Sequence, residues 1–161
     1  MLSNIKEKKL LALCDINSLR SFKNNTNRLL GLDVGAKTIG LALSDATWTI
    51  ATPFKTLERK KLKQDILELM AIINKYNVCG LVIGLPKNMD GSEGPRCQST
   101  KQFAYNFLNE IDLPVAFWDE RLSTIAVTRT LLMADVSRKR RQEVVDKMAA
   151  SYILQGVLDA L

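Results

Sequence analysis

Residues 28–45 read RLLGLDVGAKTIGLALSD, and this stretch decides the fold. An apolar run ends near the carboxylate of Asp33, a turn containing Gly35 follows, and a second apolar run leads away. The pattern predicts a strand, a tight turn and a second strand. A carboxylate among β-forming residues is costly to bury without a partner, so Asp33 either faces water at the strand end or holds a cation.

The rest of the chain alternates between apolar runs and amphipathic helices. Strands are predicted over 47–52, 78–85 and 114–118, and helices over 5–13, 59–76, 95–111, 123–134 and 142–158. Pro53 is expected to end the third strand, and the basic residues within 135–143 are expected to lie in an exposed loop because apolar periodicity is lacking there. This order predicts an α/β domain with a mixed sheet.

Three chemically distinctive points fall at comparable strand ends. Asp33 ends the first strand, a polar loop follows Gly84, and Asp119-Glu120 follows the fifth strand. Parallel strands joined by right-handed crossovers bring such ends to one edge of the sheet. We therefore expect one cleft there.

Composition excludes several kinds of chemistry. The chain of 161 residues has no histidine, which removes Ser-His-Asp and Cys-His catalysis and every zinc site that needs imidazole. Its three cysteines form no Cys-x-x-Cys pair, so a disulfide framework is not expected.

The net charge of +6 favours a polyanionic partner. No stretch approaches the roughly 18 consecutive apolar residues of a membrane span, so no membrane partner is expected. The cysteine pattern is typical of a protein in a reducing compartment, and we expect a cytoplasmic protein.

Two phosphate-binding motifs fail at the hairpin. A Walker A loop needs Gly where Ala36 stands, and a dinucleotide fingerprint needs other glycine spacing and a following helix. A third interpretation makes Asp33 a metal ligand and lets Gly35 bring the backbone close to a phosphate. Glu120 and Asp146 also lie at element ends and carry the oxygen ligands that divalent cations prefer.

A plainer interpretation of these carboxylates stays open. In it, Glu120 forms an ion pair with Arg121 or Lys87. Asp146 then has no role beyond a favourable interaction with the dipole of its helix.

Four segments resemble the four signatures of the YqgF/RuvX family: they are 30–40, 82–91, 119–124 and 145–150. The resemblance runs from about Leu29 to the C-terminus. It implies an RNase H-like fold with a five-stranded mixed sheet in the order 3-2-1-4-5, whose first three strands are antiparallel. It also implies that Asp33, Glu120 and Asp146 are the catalytic, metal-binding residues for Mg²⁺ or Mn²⁺, with Asp119 as the alternative to Glu120.

The family comprises proteins related to Holliday-junction resolvases and regarded as nucleases that mature the 5′ end of the 16S rRNA precursor. The resemblance therefore implies a metal-dependent nuclease that acts on structured nucleic acid, most directly precursor rRNA or the pre-ribosome. Substrate contacts are expected from the residues Lys37, Asn88, Arg121, Ser123, Arg138, Lys139, Arg140 and Arg141. Ala36 departs from the family pattern, where a hydroxyl residue is common.

Other functions stay open. The chain could be a catalytically weak nucleic-acid-binding module for ribosome assembly, or a resolvase of four-way DNA junctions. A nucleotide phosphotransferase shares the Asp-x-Gly hairpin, but such proteins usually need two domains. We expect a nuclease domain over 28–161, a basic arm or docking helix over 1–27, and a monomer or weak homodimer.

Overall fold

The computed structural model describes residues 13–122 and 138–161. The strands are β1 (Leu13–Cys14), β2 (Arg28–Val34), β3 (Thr38–Ser44), β4 (Ala51–Glu58), β5 (Val78–Leu85) and β6 (Val115–Asp119). The α-helices are α1 (Leu62–Lys75), α2 (Pro95–Glu110) and α3 (Arg138–Ala160), and short 3-10 helices span Ile16–Phe22 and Glu120–Leu122. Within these residues, no helix is long and apolar enough to cross a membrane.

The sheet is mixed and runs in the order β1-β6-β5-β2-β3-β4. β2, β3 and β4 form the predicted antiparallel group, whereas β5, β6 and β1 continue the sheet in parallel. The prediction of five strands in the order 3-2-1-4-5 was wrong, because β1 adds a sixth strand beyond β6 by pairing Leu13 with Val115. A strand of two residues has no periodicity, so only its partner strand defines it.

The third predicted strand was misplaced. It was expected over 47–52 and to end near Pro53, but β4 spans Ala51–Glu58 and contains that proline. Pro53 lies opposite Ala42, next to an irregularity that leaves Phe54 as an extra residue in the ladder. Proline is tolerated there because β4 is an edge strand and because a bulge does not need every backbone N–H.

The basic run was also misplaced. It was expected in an exposed loop, but Arg138 begins α3, and Arg140 is exposed in its first turn. Arginine and lysine are good helix formers, so a terminal turn needs no apolar periodicity. The helix predicted over 123–134 and residues 1–12 of the N-terminal segment lie outside the described residues.

Each face of the sheet carries its own apolar core. One face packs Leu30 and Leu32 of β2 against α1 and α2, through side chains such as Leu69 and Phe107. The opposite face packs β2 and β5 against α3 and includes the fully buried Leu19 of the first 3-10 helix. Alternate residues of a strand therefore belong to different layers, which decides where each polar side chain of β2 and β3 points.

The β3–β4 turn leads to a prediction about pH. Asp45 accepts hydrogen bonds from Ile50 N at 3.0 Å, from the Thr47 hydroxyl and from Thr49 N at 2.8 Å. These bonds lower the pKa of Asp45 to about 2, first of all the one from Ile50. The folded protein therefore binds fewer protons than the unfolded chain, so the turn contributes stability above about pH 4 that is lost as the pH falls towards 2.

We expect the Asp45→Asn variant to lose part of this contribution at pH 7 and to depend less on pH between 4 and 2 than the parent protein. Urea unfolding at pH 7, 4 and 2.5 measures the difference. The exposed Asp112 provides the control Asp112→Asn, which should follow the parent protein. Equal pH slopes for Asp45→Asn and the parent would contradict the prediction.

Candidate active site

The candidate site is built on a row of residues that crosses the sheet. Asp33 of β2 pairs with Gly40 of β3, and Gly84 of β5 lies one step beyond the Leu32–Ile83 pair on the other side. The neighbours of Asp33 point into the core beneath α1 and α2, so its own side chain faces α3. This carboxylate is only 5% exposed.

Gly40 brings the backbone of α3 onto the row. A Cβ atom at this position would lie 2.0 Å from the carbonyl oxygen of Asp146, which is closer than any real contact allows. The backbone at Asp146 therefore rests directly on β3, beside the strand that carries Asp33, at a strand spacing of about 4.8 Å. Asp146 is 7% exposed, so it is buried beside the row.

Thr38 orients this second carboxylate. Its hydroxyl donates a hydrogen bond to Oδ2 of Asp146. Thr38 lies two residues before Gly40 on the same face of β3, and that alternation is the signal that could have identified it from the sequence. Thr38 was not among the site residues predicted from the sequence.

Glu120 approaches the row from the opposite side. A Cβ atom at Gly84 would lie 2.7 Å from Oε1 of Glu120 and 2.4 Å from Cδ1 of Ile153. The two glycines that flank Asp33 thus make room for Asp146 on one side and Glu120 on the other. The three predicted acidic residues lie around one row, although each comes from a different element.

Whether the site could hold a divalent cation depends on how many carboxylates stand close together. Within residues 13–122 and 138–161, no three Asp, Glu or Cys side chains stand close enough together to hold one metal ion. Mg²⁺ is commonly bound by one or two carboxylates with water and substrate phosphate as the other ligands. Asp33 with either Asp146 or Glu120 is chemically suited to such a site.

Asp119 has a different partner. Arg121 Nε donates to both its carboxylate oxygens at 3.1 Å, and Nη2 donates to Oδ2 at 2.6 Å. These bonds lower the pKa of Asp119. The suggested pairing of Arg121 with Glu120 is therefore replaced by a bidentate pairing with Asp119.

The turn after Asp33 is held by Arg59, which was not among the predicted site residues. Arg59 donates from Nη1 to the carbonyl oxygen of Gly35 and from its backbone N to that of Lys37, both at 2.8 Å. Its guanidinium also lies 3.8 Å from the buried Asp65. Arg59 thereby fixes the exposed turn that carries Lys37.

The other predicted substrate contacts are spread around this edge. Asn88 is exposed in the loop after β5 and donates from Nδ2 to the Ser92 hydroxyl at 2.9 Å. Arg138, Lys139, Arg140 and Arg141 lie in the first turns of α3, eight to five residues before Asp146. Ser123 lies outside the described residues.

Comparison with known proteins agrees with this architecture. The RuvX family, described as Holliday junction resolvase, matches residues 27–160. A protein of Paramagnetospirillum magneticum named "Putative pre-16S rRNA nuclease" is 67% identical over 132 residues, which cover 82% of this chain and 85% of that protein. A protein of the same name from Ruegeria sp. is 59% identical over 133 residues, covering 83% of this chain and 85% of its own length.

Among solved structures, the T. thermophilus RuvC in complex with a Holliday junction substrate superposes with a TM-score of 0.51. It is 10% identical and covers 83% of this chain and 94% of its own, so it shows a shared RuvC-like, RNase H-type fold. The prediction of family from four sequence segments is confirmed: the chain belongs to the RuvX family.

Proposed function

We propose that the protein is a divalent-metal-dependent nuclease that hydrolyses phosphodiester bonds in the 5′-end maturation of precursor 16S rRNA. The arrangement of Asp33, Glu120 and Asp146 around the Gly40–Asp33–Gly84 row carries this proposal. Membership of the RuvX family and the names of the similar proteins support it. We expect the protein to act in the cytoplasm, where precursor rRNA is found, as a monomer or weak homodimer.

Each group in the site would have a defined task. Asp33 would hold the cation with Asp146 or Glu120, while Thr38 keeps the Asp146 carboxylate in place. A bound Mg²⁺ or Mn²⁺ supplies an activated water and stabilises the leaving oxygen. Lys37 at the turn and the basic residues that begin α3 would contact backbone phosphates, which attract them by charge.

Two other functions have specific support. Cleavage of four-way DNA junctions is suggested by the fold shared with a junction-bound RuvC. A weakly catalytic RNA-binding module is suggested by the net charge of +6 and by the basic residues that begin α3.

Cleavage assays distinguish these functions. We expect end-labelled precursor 16S rRNA to be cut in Mg²⁺ or Mn²⁺, to survive in EDTA, and to be cut again when Mg²⁺ is added in excess. A four-way DNA junction with the same label serves as the competing substrate. Cleavage of the junction alone would favour the resolvase, and salt-sensitive binding of RNA without cleavage in either metal would favour the assembly module.

A further inference from the structure

We propose that Arg121 and Asp119 form a clamp that holds the loop over residues 86–94 in place and positions Glu120 between its two halves. Arg121 is then a positioning residue and not a phosphate ligand. This inference rests on the proposed nuclease function, because positioning is meaningful only for a reaction at that site.

The first observation is that all three nitrogens of the Arg121 guanidinium already have hydrogen-bond acceptors. Three of its hydrogen bonds go to the Asp119 carboxylate, and Nη1 lies 3.4 Å from the carbonyl oxygen of Met89 in the loop. The backbone N–H of Arg121 also donates to Asp119 Oδ1 at 3.0 Å. A bidentate pair has a specific geometry. The Asp119 carboxylate also neutralises the positive charge with which Arg121 would attract a phosphate.

The second observation is the loop's shape where it meets the guanidinium. Gly91 has φ +86, and a Cβ atom there would lie 3.3 Å from Arg121 Nη1. Glycine therefore allows the left-handed backbone conformation at this position, and it leaves room for the Arg121 side chain. Two hydrogen bonds lie within the loop: Asn88 N donates to Ser92 O at 2.9 Å, and Ser92 N donates to Asp90 Oδ1 at 2.9 Å. These bonds tie the loop residues to one another, and Arg121 contacts the loop at Met89 and Gly91.

The third observation links the clamp to the acidic row. Leu85, the last residue of β5, pairs with Asp119, the last residue of β6. The loop and the second 3-10 helix leave the sheet at these two points. Glu120 lies between the two clamp residues in sequence, and its Oε1 lies over Gly84. Fixing both neighbours of Glu120 therefore fixes the backbone from which its side chain reaches the row.

Kinetics of Asp119→Asn, Arg121→Lys and the double variant test the clamp on precursor RNA. Because a displacement of about 1 Å can cost about 100-fold in rate, we expect each single variant to lower kcat by about 100-fold with KM nearly unchanged. The double variant should be no worse than either single variant, since both remove one device. Glu68→Gln, which breaks the exposed 3.3 Å ion pair with Lys60, is the matched control and should behave as the parent protein.

A phosphate-binding role predicts the opposite pattern. Asp119→Asn would then release the guanidinium and strengthen RNA binding, while Arg121→Lys would raise KM and alter the salt dependence of binding. Either result overturns the clamp.

Hydrogen exchange separates this inference from the proposed function. Both single variants should speed amide exchange in 86–94, and unchanged exchange there would overturn the clamp whether or not RNA is cut. If the parent protein cuts no RNA while the loop still loosens, the nuclease function fails and the clamp remains as a structural device.

Discussion

Replacing Asp33 with asparagine is expected to lower the rate of precursor rRNA cleavage by at least about 1000-fold, equivalent to about 4 kcal/mol of transition-state stabilisation. Asparagine keeps the size of the side chain and removes the charge that attracts a divalent cation. Asp33 is the middle member of the row and is only 5% exposed. The loss is of the size that metal catalysis contributes.

Binding and stability measurements make the Asp33→Asn result interpretable. Calorimetric titration with Mn²⁺ should show binding to the parent protein and weakened or lost binding to the variant, with circular dichroism unchanged. Asp159→Asn near the end of α3 is the charge-matched control and should cut RNA normally. If Asp33→Asn cleaves as fast as the parent protein, the acidic-site mechanism is wrong.

Replacing Gly40 with alanine is expected to damage both stability and activity. The new methyl group would lie 2.0 Å from the Asp146 carbonyl oxygen and 2.3 Å from its carbon, so α3 must lift from β3. Both contacts are to backbone, which cannot rotate away as a flexible side chain can. Overpacking of this kind commonly costs about 1–3 kcal/mol and occasionally more, and we expect the upper end. Cleavage should fall in parallel, because Asp146 moves with the helix.

Urea unfolding and RNA cleavage of the same Gly40→Ala preparation measure the two effects. Gly94→Ala is the matched control, since among the described residues a Cβ atom there would meet the Asn88 side chain alone, at 3.5 Å or more. That variant should lose less than about 1 kcal/mol, the usual cost of an unfavourable helix-cap residue. Equal stability of Gly40→Ala and the parent protein would show that α3 does not rest on β3 as described.

Sequence reasoning succeeded where a local pattern carries the information. The hairpin around Asp33, the buried strand Val78–Leu85 and the helix beginning at Pro95 follow from apolar period and glycine or proline punctuation. It failed for two strands whose deciding partner is distant along the chain: β1 exists through Val115, and Pro53 is allowed because its strand lies at an edge. The start of α3 was missed for a local reason, because a first turn of Arg and Lys residues shows no apolar periodicity.

The candidate site divides in the same way. Four short segments and the absence of histidine were sufficient to nominate Asp33, Glu120 and Asp146 and to identify the family, because residue type and order are properties of the chain alone. The sequence could not say that Gly40 and Gly84 flank Asp33, that Thr38 bonds to Asp146, or that Arg121 is taken by Asp119. The first two arise from strand pairing and from the packing of the sheet against α3, which bring together residues that are distant along the chain. The third is local, but which neighbouring carboxylate Arg121 contacts depends on how the chain turns from β6 into the second 3-10 helix.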